Sequence, residues 1–447
     1  MSGGLLERLA LHRRELRAWA LYDWANSGMI TVIVTAVFPI FFARVAWVER
    51  PGWTAAEVHG LVTTASLILV ALLAPLLGVV ADRSGSKKRL LGAFVLLGAF
   101  ACMAMFFIRP GDWQLAGGLF LLANLGASAS FVFYDALLPH VAREGEVDRL
   151  STSAFALGYL GGGLLLALDL LLIQQPELFG LGAREGQSAH EASLPVRLAF
   201  VGVGVWWLAF SVPLLRGVPE PAVPAGVARL PFGAALRESL GGLRRTLRDL
   251  VGYREAALML LAFLIYNDGI TTVFRMATVY GAELELDAAR MMLALLLVQF
   301  VGVPATFAFG ALAGRIGARP AILVGLAVYG LVGVMAYRLD SAEEFLGMSV
   351  LIALVQGGTQ ALSRSLFASL VPADRSGEFF GFFAVFDRFA GLLGPLLFTQ
   401  VLAWTGEVRS AVLPLLGFFA VGALVLTRVD VERGRARIQA ERDSTVA

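Results

Sequence analysis

Cysteine occurs once in 447 residues, histidine four times, and only 16% of the chain is charged. The lone Cys102 excludes an internal disulfide and, set inside an apolar run, reads as a small packing residue. His12, His59, His140 and His190 are scattered over loops and span ends, so spacing assembles neither a triad nor a metal site. Soluble domains carry about 25% charged residues. A chain that is 58% hydrophobic with a mean hydropathy of +0.75 lies outside that class. No basic patch is interleaved with aromatics, which removes nucleic acid from the expected partners. A Walker-type phosphate loop is missing too: Gly158-Tyr159-Leu160-Gly161-Gly162-Gly163 falls inside an apolar run, where glycines let helices approach. Neither a cofactor nor an enzymatic activity is expected.

Long apolar runs, by contrast, fill the chain. A bilayer core of about 30 Å needs ~20 apolar residues as helix. Such runs occur near 18–46, 58–81, 90–108, 113–139, 152–173, 195–215, 254–280, 290–314, 320–338, 343–371, 379–403 and 409–428. Their all-round apolarity excludes a β-barrel, whose strands alternate over ~10 residues. The expected fold is an all-α integral membrane protein of twelve transmembrane helices.

Arginine and lysine concentrate in the leader before residue 18, at 82–89, 140–151, 216–253, 315–319 and 372–378, and after Arg428. That asymmetry predicts both termini in the cytoplasm. The chain divides into a basic leader (1–17), a six-helix bundle (18–215), a linker (216–253), a second bundle (254–428) and a tail (429–447). No cleavable signal is apparent in Met1–Arg17. Leu5, Leu6, Leu9 and Leu16 among its arginines suit a short surface helix or a frayed basic leader. In the linker, Pro219, Pro221, Pro224 and Pro231 precede Leu236, Leu240, Leu243, Leu247 and Leu250, opposed by Arg237, Arg244, Arg245 and Arg248. That pattern predicts an amphipathic helix on the inner membrane face.

Two echoes divide the chain into a repeat. Gly78-Val-Val-Ala-Asp82-Arg83-Ser-Gly85-Ser-Lys87-Lys88-Arg89-Leu90 returns in part 232 positions later as Gly310-Ala-Leu-Ala-Gly314-Arg315-Ile-Gly317-Ala-Arg319. Pro139, Gly158 and Gly161 return as Pro372, Gly391 and Gly394, each 233 positions on. Parallel six-span halves related by an axis along the membrane normal are the arrangement of major facilitator transporters.

Polar residues at membrane depth are costly and mark pathways or partners. The first span carries Tyr22, Asp23 and Asn26, and the seventh carries Tyr266, Asn267 and Asp268. Such sets suit a zwitterion, with a carboxylate for its ammonium and amides and hydroxyls for its carboxyl group. For Tyr22 and Asp23 an interfacial anchor beside a solvated acid is the other reading. Arg275, two turns past Asp268, either receives a substrate carboxylate or snorkels outward. Gln356 and Gln360 are further cavity candidates. Arg364 and Asp387, on adjacent spans, predict an interhelix salt bridge that doubles as a gate.

The 78–90 stretch resembles the signature loop between the second and third spans of the major facilitator superfamily. The resemblance implies that Gly78 and Gly85 permit close packing, that Asp82 engages a facing helix, and that Arg83, Lys87 and, in the second copy, Arg315 hold the loop at the inner face. Two departures speak against proton antiport of the drug-exporter type: Gly314 stands where the second acid would be, and the fourth span has no buried arginine. The stretches Trp19–Ser27, Gly158–Gly163, Gly357–Ser365 and Gly377–Phe382 are similar to the branch holding the fungal autophagy-related vacuolar amino-acid effluxers and their bacterial relatives. That similarity implies a secondary transporter for an amino acid or similar zwitterion, and the arginine- and alanine-rich usage without a targeting sequence suits a bacterial inner membrane. A proton or sodium ion is the candidate coupling ion, and a monomer is expected. The alternatives are a lipid or drug exporter with an apolar cavity, or a non-transporting receptor or scaffold of the same fold.

Overall fold

The computed structural model describes residues 4–48, 52–143, 145–182, 187–223 and 230–446. Only the backbone is described at 232, 240–247, 278–279, 282–283, 288–289, 292, 295–296, 442 and 444–446. The described residues contain twelve helices long and apolar enough to cross a bilayer. They are Arg14–Ala46, Ala55–Ser84, Lys87–Phe107, Trp113–Val141, Val147–Gln174, Leu194–Gly217, Arg254–Ala277, Leu297–Ile316, Ala318–Tyr337, Ala342–Ala368, Ala373–Thr405 and Ser410–Thr427. These are spans 1 to 12.

Local chemistry sets the helix ends. Span 2 starts on a capping box, in which the Thr54 hydroxyl accepts the Glu57 N–H and the Glu57 carboxylate accepts the Thr54 N–H. It stops at Gly85, whose φ of +57° suits a residue without Cβ. The 82–89 stretch is therefore a tight turn between two helices. Two spans are irregular. Span 1 contains π-helical turns at Ile30–Ala36 and Phe42–Ala46. Span 11 is broken between Ser376–Phe389 and Leu393–Thr405, at Gly391 with φ +84°.

The repeat inferred from the glycine echoes has a packing basis. In the first half, a Cβ on Gly158, Gly161 or Gly162 would meet Ser27, Trp24 or Thr31, so span 5 lies directly on span 1. In the second half, a Cβ on Gly391 or Gly394 would meet Thr271 or Thr272, so span 11 lies on span 7. Small residues permit this because helix association in lipid depends on close backbone approach.

The two halves dock at the end that carries both termini. Span 2 packs on span 11, and span 5 on spans 8 and 10. The Gly78 face has no room to spare, since a Cβ there would overlap the carbonyl of Gly377. A Cβ on Gly381 would come within 2.6 Å of the Ala74 oxygen. Around these glycines, Ser376 Oγ donates to the Ala136 carbonyl (2.7 Å), Ser151 Oγ to the Ala361 carbonyl (2.7 Å) and Ser365 Oγ to Asp148 (2.6 Å). Beyond the level of Arg364, no hydrogen bond or ion pair joins the halves among the described residues.

The leader takes the short-helix form of the two expected. A short helix, Leu5–Arg8, precedes span 1, and Ala10 and Leu11 are buried against the protein. Arg13 binds Glu146 (2.5 Å) and the Val141 carbonyl (3.1 Å), so the leader is docked on the bundle by its own ion pair. The linker helix runs over Phe232–Gly252 and packs on span 2, with Ser239 Oγ on the Leu76 carbonyl and Glu238 on Arg83. The side chains of Leu240, Leu243, Arg244, Arg245 and Leu247 lie outside the described residues, as does Pro224.

Gly78→Val should shift the protein towards separation of the halves at the terminus end. A destabilisation of ~1.4 kcal/mol raises the open population about tenfold. Maleimide labelling of a cysteine placed at the interfacial Ser365 should accelerate accordingly in Gly78→Val, and an unchanged rate counts against the packing argument.

Candidate functional site

Arg364, on span 10, projects out of the second half into the first. One guanidinium nitrogen lies 3.2 Å from Asp23 and another 3.2 Å from Asp135. Nε donates to Ser151 Oγ (3.0 Å), and the group also donates to the Ser151 carbonyl (3.1 Å). The rings of Trp19, Tyr134 and Phe155 surround it, their centroids 5.0, 5.3 and 4.5 Å from the guanidinium carbon. Arg364 and Asp23 are each 3% exposed. A planar guanidinium can stack on rings while its edges donate, which an ammonium cannot do. Tyr134 OH donates to Asp23 (2.9 Å) and Trp19 Nε1 to the Tyr134 carbonyl (3.0 Å), so the first half presents a preformed socket.

The expected Arg364–Asp387 bridge is not formed. Arg364 faces across the interface to spans 1, 4 and 5, whereas Asp387 lies 3.9 Å from Arg388 and accepts from Asn267 Nδ2 (3.2 Å). The ion-pair contact at this depth joins the halves rather than two helices of one half.

The second contact between halves is the 78–90 turn. Asp82 accepts the N–H groups of Gly377 (3.1 Å) and Glu378 (2.8 Å), capping the start of span 11, and Lys87 Nζ lies 2.7 Å from its carboxylate. A carboxylate on the exposed amides of a helix start adds hydrogen bonds to a favourable dipole. Arg83 is occupied by Glu238 of the linker helix (2.9 Å). Arg315 is exposed and makes no hydrogen bond or ion pair among the described residues. Arg319 instead donates to the Val429 carbonyl.

The residues expected to line a cavity divide into two groups. Tyr22, Asp23 and Asn26 are buried, and Asn26 Nδ2 lies 3.3 Å from Tyr22 OH and 3.4 Å from Ser130 Oγ. In this conformation they belong to the socket and its packing. Tyr266 is buried against Ser363, and Asp268 caps the broken span 11, accepting the N–H groups of Leu393 (3.1 Å) and Gly394 (2.6 Å). Asp268 thus holds a helix break in place.

The other group clusters at that break. Asn267, Asp387 and Arg388 are contiguous, and Arg275 donates to the Gly391 carbonyl (3.2 Å). The Asp387 side chain is 38% exposed and lies within Coulombic reach of Asp135 on the other half, so it faces the space between the halves. Asn267 Oδ1, Arg388 Nε and Gln356 Oε1 are buried polar atoms without hydrogen-bond partners. Gln356 and Gln360 precede Arg364 at four-residue spacing, so all three share the helix face turned towards the first half. Orphaned polar atoms beside a half-exposed carboxylate fit a ligand site.

Sequence reasoning passed over Ser151, Tyr134 and Phe155 and gave Asp135 no part in the site. Arg364 itself was legible as a cation at membrane depth. Its partners, 213 to 341 positions away in sequence, were not.

Twelve helices in two parallel halves, docked at one end, define a major facilitator transporter fold. Solved structures agree at the level of fold. The outward-facing bacterial homologue of the iron transporter ferroportin superposes with a TM-score of 0.62 at 16% identity, covering 93% of this chain and 99% of that one. The proton:xylose symporter XylE gives 0.68 at 12% identity, covering 93% and 95%. The family model described as "Vacuole effluxer Atg22 like" matches residues 56–439, and the chain belongs to this family. It is 33% identical over 435 residues to the uncharacterized MFS-type transporter YxiO of Bacillus subtilis (strain 168), covering 96% of this chain and 98% of that protein. It is 23% identical to autophagy-related protein 22 of Coccidioides immitis (strain RS), covering 83% and 72%.

Removing one partner of a buried ion pair costs about 3–5 kcal/mol. Arg364→Ala should therefore lower the thermal unfolding temperature markedly, and adding Asp23→Asn should recover part of the loss. Strict additivity of the two would contradict direct pairing. Asp268→Ala should destabilise by about 1–2 kcal/mol through loss of the cap. Asp268→Asn, which keeps one acceptor, should cost less; equal costs would remove the capping role.

Proposed function

We propose that this protein carries a small zwitterion, an amino acid first of all, across a bacterial inner membrane by alternating access, with both termini in the cytoplasm. The supporting observation is the cluster at the break in span 11. It offers a half-exposed carboxylate, Asp387, beside two guanidinium groups, Arg388 and Arg275, and the unsatisfied amide oxygen of Asn267. Asp387 meets the substrate ammonium, the arginines its carboxylate, and Gln356 and Gln360 its remaining polar atoms. The basic loops support a cytoplasmic position for the docked end, and in this reading the conformation is closed to the cytoplasm.

Transport then requires the contacts of Asp82 and Arg364 to form and break once per cycle. Asp82, with Gly78, Gly85, Arg83 and Lys87, forms the gating turn, and Arg364 the central clasp. A proton is the coupling ion we assign. Arg364 neutralises only one of the two carboxylates it touches, Asp23 and Asp135, so the dry docked state has room for a proton that balances the other, and water takes it up when the halves part.

Uptake or counterflow in proteoliposomes, run against a panel of amino acids, tests the reading. Asp387→Asn should reduce transport of the accepted amino acid by at least about tenfold, the equivalent of ~1.4 kcal/mol. A protonophore should abolish concentrative transport. Wild-type rates in Asp387→Asn would remove the assigned site, and a preference for apolar amphiphiles would remove the zwitterion.

A further inference from the structure

The tail helix, Val431–Val446, turns back across the start of span 7 and closes a small cavity there. Arg437 donates to the Gly252 carbonyl (2.7 Å) and stacks over Tyr253, whose ring centroid lies 4.3 Å from the guanidinium carbon. Tyr253 OH in turn donates to Glu441 (2.7 Å). Gly434 presses against Leu370 and Glu255 so closely that any Cβ there would collide. These contacts hold the tail against the bundle and leave a cavity of about 130 Å³, several times the ~30 Å³ share of a water molecule.

The lining is net positive. Arg254, Arg433 and Arg437 line it with one carboxylate, Glu255, and Arg437 is also paired with Glu441 (3.1 Å), so the excess positive charge is that of Arg433. The Glu255 carboxylate is already used, with one oxygen on Arg254 (3.0 Å) and the other accepting the Asp430 N–H (2.8 Å). The Arg433 guanidinium has no hydrogen-bond or ion-pair partner among the described residues. Leu370, Ala256 and the Tyr253 ring supply an apolar wall. The site lies between the first turn of span 7 and the helix that follows span 12, at the depth where a bilayer places its headgroups. A net-positive recess with an apolar wall at that depth suits a phosphodiester that enters with part of its glycerol.

We propose that this cavity binds the phosphate of an anionic phospholipid from the adjacent leaflet. The lipid then bridges the tail helix and the start of span 7. The site is independent of the transport reading and of the residues assigned to it.

The test is thermal unfolding of the full-length protein in detergent with added phosphatidylglycerol, phosphatidylcholine or inorganic phosphate. Phosphatidylglycerol should raise the unfolding temperature through binding to the folded state, and phosphatidylcholine should not. Arg433→Gln should halve that rise or more while leaving the lipid-free temperature unchanged, because the Arg433 guanidinium makes no hydrogen bond or ion pair among the described residues and its N–H bond to Asp430 (3.0 Å) is kept. Arg8→Gln, an equal loss of charge in the leader, should keep the full rise. An undiminished rise in Arg433→Gln, or an equal loss in Arg8→Gln, overturns the site. An equal rise with inorganic phosphate overturns the lipid as its source.

Discussion

A guanidinium buried at the junction of the two halves sets the terms for the rest of this molecule. Bringing such an ion from water into a medium of dielectric ~4 carries an idealised cost of order 20 kcal/mol. Arg364 is accommodated because two carboxylates, a serine hydroxyl, a backbone carbonyl and three aromatic faces meet it in the first half. None of these groups belongs to its own half. Separation of the halves therefore exposes Arg364, Asp23 and Asp135 together, and each then needs water, a proton or a new partner. The clasp is strong only while the interface is dry.

The surrounding architecture keeps it dry. Gly78, Gly377 and Gly381 bring spans 2 and 11 into backbone contact, and Asp82 caps span 11 from the opposite half. The linker helix reinforces the same seam, because Glu238 holds Arg83 at one end and Asp249 holds Arg375 at the other. Span 11 thus receives force from three sides at its start and is broken midway at Gly391, where Asp268 caps the second segment. In the proposed transport cycle, a helix gripped at its end and broken in its middle relays movement at its start to the Asn267–Asp387–Arg388 cluster beside the break. Occupation of that cluster would bias the gate by the same linkage.

Much of this was legible in the chain. Apolar runs separated by basic turns placed all twelve spans, because a bilayer imposes length and hydropathy on each helix independently of its neighbours. The glycine echoes revealed the repeat, since close helix approach must be written in small residues. The pairing of charges was not legible. Arg364 and Asp387 share a half and lie on neighbouring spans, so proximity in topology suggested a bridge. Which face each helix turns to the seam depends on packing over more than 200 positions, and the sequence holds no local trace of it. Asp268 illustrates the same gap. It reads as a substrate carboxylate until the break in span 11 brings two free amides to it.

The most direct test measures the seam itself. Spin labels at Arg143 and Arg315, both exposed and on opposite halves at the terminus end, report their separation by pulsed dipolar spectroscopy in a Cys102→Ala background. The clasp account predicts a short, narrow distance distribution for the otherwise native chain, and a shift to longer distances when Arg364→Gln is added. An identical distribution in both would mean that the halves stay docked without the buried guanidinium, and the account would fail.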